Sequence, residues 1–238
     1  MKQAALDNVE SRLRGNRYPG RGIIIGKNDA KQWIQVYWIM GRSENSRNRV
    51  FVIEDGVLKT HPADPAKVKD PSLIIYNAMR ERQGKWIVSN GDQTDTIYEG
   101  IGKGLSFEEA LAGRNHEPDE PNWTPRISGL VDLSQNDGPA WLSIIKVSPF
   151  STEYSEHQCF RYAFVQAGFG YAITTYREDG NPIPAFEGAP YIVPLQGGAQ
   201  DIADFYWQVL DEDNKISLAV RQIGPDGKAD TALLNKYA

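Results

Sequence analysis

Strand-like segments recur along this chain in two blocks with short helical segments between them, and this arrangement restricts the fold more than any single motif. In the first block GRGIIIG (20–26), WIQVYWIM (33–40) after the turn-like KNDAK, and RVFVIED (49–55) are rich in β-branched and aromatic residues and bounded by turn formers. That pattern predicts consecutive antiparallel strands. A proline-punctuated loop leads to SLIIYNAMRER (72–82), predicted as a short helix burying Leu73, Ile74, Ala78 and Met79 on one face, and KWIVSNG returns as a strand. TDTIYEGIGKG and SFEEALAG are predicted helices, the second with Ser106 as N-cap and Glu109 at capping-box spacing. The second block, AWLSIIKVS, CFRYAFVQAGFGYAITTYRE and PYIVPL, is sheet-rich and is followed by an amphipathic helix, AQDIADFYWQVL, and a last strand, ISLAVRQI. Strand blocks with intervening helix pairs predict an α+β fold in which two sheets pack face to face and helices cover them.

The 238 residues are 40% hydrophobic, and no apolar run approaches the roughly 20 residues of a membrane-spanning helix. One soluble domain is expected, with residues 18–238 as its body and residues 1–17 as an N-terminal helical extension closed by Gly15. The extension is a candidate for contact between identical subunits. The single cysteine, Cys159, has no partner for an internal disulfide and is predicted to be a buried structural thiol. No charged leader precedes an apolar segment, so a cytoplasmic location is expected. A net charge of −5 argues against a nucleic-acid or membrane-surface binder. Residues 1–50 nevertheless hold ten Lys or Arg against four Asp or Glu, concentrating positive charge as a small anionic ligand would require.

GRGIIIG lacks GxGxxG spacing, GxxxxGK[ST] is absent, and His61, His116 and His157 belong to neither an HExxH nor a Cys/His quartet. No metal and no cofactor is therefore expected, and His116 with Glu117 and Asp119 reads as part of a solvated loop, HEPDEPNWTPRI (116–127). The densest donors lie in GRSENSRNR (41–49), where Arg42, Arg47 and Arg49 accompany Ser43, Asn45, Ser46 and Asn48 after an apolar strand. Guanidinium forks with small hydroxyl and amide donors suit phosphate recognition, and a polar turn between strands would look the same in isolation. YNAMR (76–80) and SNGDQTDTI (89–97) repeat the theme of donors clustered at element ends.

Taken in order, YPGRGIIIG, GRSENSRNR, IIYNAMR, VSNGDQTDTI and EPDEPNWTPRI resemble the archaeal-type IMP cyclohydrolase family, in which YxGR, SRSxxNR, YN, VSNGxxTDTI and an acidic stretch before NTPRI recur in that order. The resemblance spans roughly residues 18–133. It implies a fold similar to that of the N-terminal-nucleophile hydrolases, a four-layer αββα sandwich of two antiparallel sheets flanked by helices. It also implies closure of 5-formamidoimidazole-4-carboxamide ribotide to inosine monophosphate with loss of water, in purine biosynthesis, with a small-molecule purine nucleotide as ligand and no metal or cofactor. The implied catalytic residues are Arg47, Tyr76 and Glu120, with Glu117 and Asp119 as alternatives to Glu120. The implied substrate-binding residues are Arg21, Arg42, Ser43, Asn77, Asn90, Thr94, Asp95 and Arg126. SENSRNR leaves open whether Arg47 or Arg49 is the matching arginine, and Trp123 interrupts the NTPRI pattern. Two other readings stand beside this one: a non-catalytic purine-nucleotide-binding protein that keeps the phosphate donors, and an amide hydrolase of the N-terminal-nucleophile type. The latter lacks its nucleophile, because neither Met1-Lys2 nor YPGRG offers an N-terminal Ser, Thr or Cys.

Overall fold

The computed structural model describes residues 1–68, 75–134 and 138–237. In chain order these form α1 (Lys2–Val9), continued by a π turn (Glu10–Arg14), β1 (Gly22–Lys27), β2 (Trp33–Met40), α2 (Glu44–Arg47), β3 (Val50–Glu54) and β4 (Val57–His61). After a short 3-10 turn at Pro65–Lys67 come β5 (Asn77–Arg82), β6 (Lys85–Ser89), α3 (Gln93–Gly102), α4 (Phe107–Leu111), β7 (Arg126–Asp132), β8 (Ala140–Val147) and β9 (Ser155–Tyr162). The chain ends with β10 (Phe169–Thr174), β11 (Tyr191–Pro194), α5 (Ala199–Val209), β12 (Lys215–Ile223) and β13 (Ala229–Asn235).

The strands build a six-stranded sheet, β11-β10-β1-β2-β12-β13, and a seven-stranded sheet, β3-β4-β5-β6-β7-β8-β9. Every pairing within them is antiparallel. All residues of β1 and β2 are buried, on both faces, which requires cover on each side of the sheet. One face of β1 meets the other sheet, where Gly129 on β7 leaves room for Ile25; a Cβ there would lie 2.4 Å from Ile25 Cδ1. The outer face carries α5, which packs on β12 and β13, and α1, which packs on β11. On the second sheet Ile97, Ile101, Phe107 and Leu111 of α3 and α4 close over Ile87, Leu130 and Ile145. The result is the α+β sandwich, helices outside and two antiparallel sheets within. Among the described residues no helix is long and apolar enough to cross a membrane.

Several local expectations give way. RVFVIED does not pair with WIQVYWIM: Ser43 caps α2 through a reciprocal box with Ser46, turning the chain away so that β3 becomes an edge strand of the other sheet. Of the helix expected over 72–82, residues 72–74 lie outside the described residues, and 77–82 is strand β5. It is paired on both sides, and Gln83-Gly84, both at positive φ, closes a hairpin to β6. Ala78 and Met79, expected on one helical face, point to opposite faces of a sheet that is covered on both sides, and each is fully buried. Cys159 is exposed on edge strand β9, where its thiol donates to Glu108 Oε1 at 3.3 Å; desolvation and that carboxylate push it up to about 12. The loop before β7 is not solvated throughout, since His116 and Glu117 are buried. Strands β4 and β13 have no counterpart among the expected elements. Residues 1–17 find a burial surface: Ala5, Val9 and Leu13 are fully enclosed, Asn8 Nδ2 donates to the Ile192 carbonyl at 2.9 Å, and the Arg12 guanidinium lies 4.8 Å from the Tyr191 ring centre.

Candidate active site

Antiparallel order brings the start of β1 and the ends of β2 and β10 to one end of the first sheet, because Gly22 pairs with both Trp38 and Thr174. On the second sheet the segments that begin β3, end β6 and begin β7 gather at the same end. Between them lies a cleft of about 260 Å³. Its lining comes from the approach to β1 (Tyr18, Gly20, Arg21), the β2–β3 connection (Met40, Arg42, Ser43, Ser46, Arg49), the loop before β7 (Glu117, Asp119, Asn122, Thr124) and the segment after β10 (Tyr176, Ile183).

At its base Arg21 and Glu117 form a two-pronged pair, Nη1–Oε1 and Nη2–Oε2 both 3.1 Å, and Arg21 Nη1 also donates to the Asn90 carbonyl at 3.2 Å. Both side chains are almost wholly enclosed. Burial pulls against the Arg21 charge, but Glu117 and the oxygens of Tyr76, Tyr37 and Tyr176 more than restore it, so the guanidinium stays protonated. Burial pushes the Glu117 carboxyl above the usual range, and the Arg21 and Arg126 charges pull it back only in part. Gly91 permits this crowding: a Cβ there would stand 3.0 Å from Arg126 Nη1 and 3.6 Å from Glu117 Oε1.

One wall is aromatic. Tyr18 and Tyr176 stack with centroids 5.8 Å apart, and the Arg42 guanidinium lies 5.0 Å from the Tyr18 ring centre while pairing with Asp179 and donating to the Gly180 carbonyl at 2.9 Å. The Tyr176 hydroxyl meets Thr124 Oγ1 at 2.6 Å, and Asp119 accepts from both the Thr124 amide and hydroxyl. Arg49, also in the lining, is buried, with Nε donating to the Ser46 carbonyl at 2.8 Å. Behind Arg21 the hydroxyls of Tyr37 and Tyr76 share a buried 2.6 Å hydrogen bond.

A family model described as IMP cyclohydrolase-like protein matches residues 18–228. The chain belongs to that family. Among similar proteins, the IMP cyclohydrolase of Haloquadratum walsbyi is 35% identical over 125 residues, 51% of this chain and 60% of that protein. The IMP cyclohydrolase of Methanopyrus kandleri is 29% identical over 192 residues, 71% of this chain and 89% of its own. That of Methanocaldococcus jannaschii is 25% identical over 217 residues, covering 88% and 96%.

Of the residues expected at the site, Arg21, Arg42 and Ser43 line the cleft. Tyr76 stands behind Arg21, paired with Tyr37. Asn90 braces the floor, donating to the Pro125 carbonyl at 2.9 Å and accepting from Gln93 and from the Ile127 amide. Arg126 lies beside it, its Nη1 on Asp92 at 2.6 Å and on Gln93 at 3.0 Å. Arg47 turns away: its Nε donates to the Gly41 carbonyl at 3.0 Å and its Nη2 to Asn214 Oδ1 at 3.2 Å, so Arg49, the alternative, is the arginine in the cleft. Glu120 is exposed outside the cleft, where Glu117 and Asp119 line it. Asn77 and Asp95 form a separate cluster, with Asn77 Nδ2 on both Asp95 oxygens and Arg80 Nη1 on Oδ1 at 2.6 Å. Thr94 is buried against the Ser89 hydroxyl. Tyr18, Met40, Asn122, Thr124, Tyr176 and Ile183 were not among the expected residues. Tyr18 sat inside the YPGR motif; Tyr176 follows TT at a strand end, and nothing in sequence says which strand that end adjoins.

Proposed function

We propose that this chain closes 5-formamidoimidazole-4-carboxamide ribotide to inosine monophosphate with loss of water. The observation that carries this reading is the buried Arg21–Glu117 pair at the base of a cleft whose walls hold two further arginines and a stacked tyrosine pair, in a chain of this family. In this reading Arg42, Arg49 and the Ser43 hydroxyl hold the phosphate, for which guanidinium forks supply parallel charge-assisted hydrogen bonds. Tyr18 and Tyr176 offer ring surface to the imidazole.

The carboxamide nitrogen attacks the formyl carbon, forming the ring C–N bond. Nitrogen loses a proton, the formyl oxygen gains one, and a carbinolamine results. The C–O bond then breaks, the hydroxyl takes a proton and leaves as water, and a ring nitrogen gives one up. Fixing the two substituents in register can supply up to about 7–11 kcal/mol. The fixed positive charge of Arg21 stabilises negative charge developing on the formyl oxygen. Glu117, lifted by burial towards the working pH, takes the nitrogen's proton and returns one to the departing hydroxyl. Tyr76, behind Arg21, is hydrogen-bonded to Tyr37 and does not line the cleft. In this reading the proton gained by the formyl oxygen and the one given up by the ring nitrogen therefore pass through Glu117 or solvent.

The test is incubation of the purified chain with the formamido ribotide, following the absorbance change of purine-ring closure after subtraction of the spontaneous rate. Acceleration supports the reading. Tight binding of inosine monophosphate without acceleration would leave a purine-nucleotide-binding protein in its place.

A further inference from the structure

A second cavity, of about 550 Å³, opens at the end of the sandwich remote from the cleft, where the Asp55–Gly56 turn between β3 and β4, the β5–β6 turn, β12 and the start of β13 converge. Arg221 of β12 forms part of its wall and is 2% exposed. Its Nη2 donates to the Gly56 carbonyl at 3.1 Å, and its guanidinium lies 5.5 Å from the Trp86 ring centre. Its Nε and Nη1 have no hydrogen-bond partner among the described residues. A buried guanidinium that uses so few of its N–H groups forfeits hydration without full replacement. An apolar side chain of similar volume would fill the same space at lower cost. That makes a site for an anionic group the functional explanation for an arginine here.

Charge around the cavity narrows the class of ligand. Arg221 is the positive group in its lining, while Asp55, Glu81 and Asp230 stand exposed around it, and Ile53, Val57 and Trp86 supply apolar surface. A simple anion would have to approach past carboxylates of its own sign, and a simple cation would meet Arg221. A molecule bearing both charges satisfies both, with its carboxylate on Arg221 and its ammonium among the rim acids.

We propose that this cavity is a second binding site, distinct from the cleft, for small zwitterions of the α-amino acid class carrying an apolar side chain. The site is independent of the proposed reaction, because none of its residues lines the cleft.

The experiment is calorimetric titration of the full chain with leucine, and in parallel with 3-methylbutylamine, 4-methylpentanoate and inorganic phosphate, each supported by thermal melts. Leucine binds and raises the melting temperature, while each analogue lacking one charge, and phosphate, binds at least about tenfold more weakly. Arg221→Met keeps the volume and removes the charge; it leaves the apo melting temperature at or above that of the parent and weakens leucine by about tenfold or more. Asp230→Asn, at an exposed position, weakens leucine while leaving 4-methylpentanoate unchanged, and so decides the matter if Arg221→Met does not fold. The proposal falls if leucine at millimolar concentration neither binds nor shifts the melt. It falls equally if 4-methylpentanoate or phosphate matches leucine, or if Arg221→Met binds leucine like the parent.

Discussion

Arg47 and Arg49 are two residues apart in sequence, yet only one reaches the cleft. The short helix α2 decides this, directing Arg47 onto the Gly41 carbonyl and Asn214 and Arg49 into the wall of the pocket. Arg49→Ala is therefore expected to weaken inosine monophosphate by about ten- to a hundred-fold, the worth of a charge-assisted phosphate contact of roughly 1.5–3 kcal/mol, and Arg47→Ala by less. Calorimetric titration of both variants reads the difference. The carboxylates diverge in the same way. Glu117→Gln, which cannot accept a proton, should lower kcat by a factor on the order of 10² to 10⁴ with product affinity largely kept, whereas exposed Glu120→Gln should turn over like the parent. Glu117 also leaves a mark on stability. Because burial holds its folded-state pKa above the unfolded value, its contribution is fully present below about pH 4.3, the ordinary Glu value, and is lost as pH rises through the folded value. Melts across pH should show that this component of the profile disappears in Glu117→Gln.

At the scale of the element, β1 is fixed by what its glycines allow. Gly20 has φ +72° and its carbonyl accepts from Trp38 Nε1 at 3.0 Å, and a Cβ on Gly22 would fall 1.9 Å from Trp38 Cζ2. The Trp38 ring thus lies across the start of the strand that delivers Arg21. Gly22→Ala must displace that ring, and overpacking of this kind costs about 1–3 kcal/mol. The expected result is a lower melting temperature together with a raised KM, because the turn carrying Arg21 moves with the tryptophan; an unchanged KM would separate β1 packing from cleft geometry. Helix α4 is a simpler case. Its capping box, Ser106 and Glu109, was legible from spacing and is present, with Glu109 Oε2 accepting from the Ser106 amide at 2.8 Å. The β5–β6 hairpin was not, because Ala78 and Met79 fit a helical face as well as they fit the two sides of a doubly covered strand.

On the scale of the whole molecule, α1 and its π turn lie before the region matched by the family and yet bury Val9 and Leu13 completely. Deleting residues 1–17 should lower the melting temperature, since each such side chain contributes about 1.5–3 kcal/mol, while the folded fraction keeps its KM because none of those residues lines the cleft. Differential scanning calorimetry beside steady-state kinetics checks both halves. What the sequence determined by itself was local or ordered along the chain: strand-rich blocks, the capped helix, the α+β class and the motif series from YPGR to TPRI. These follow from side-chain periodicity, turn chemistry and residue order, all of which act over a few positions. What only the tertiary structure decided was partnership: that β3 leaves β2 for the other sheet, that Arg49 rather than Arg47 faces the cleft, that Glu117 is enclosed against Arg21, and that Tyr176 closes on Tyr18. Strand pairing joins residues more than 150 positions apart, as Gly22 joins Thr174, and its free energy resides in contacts that no local stretch of sequence contains.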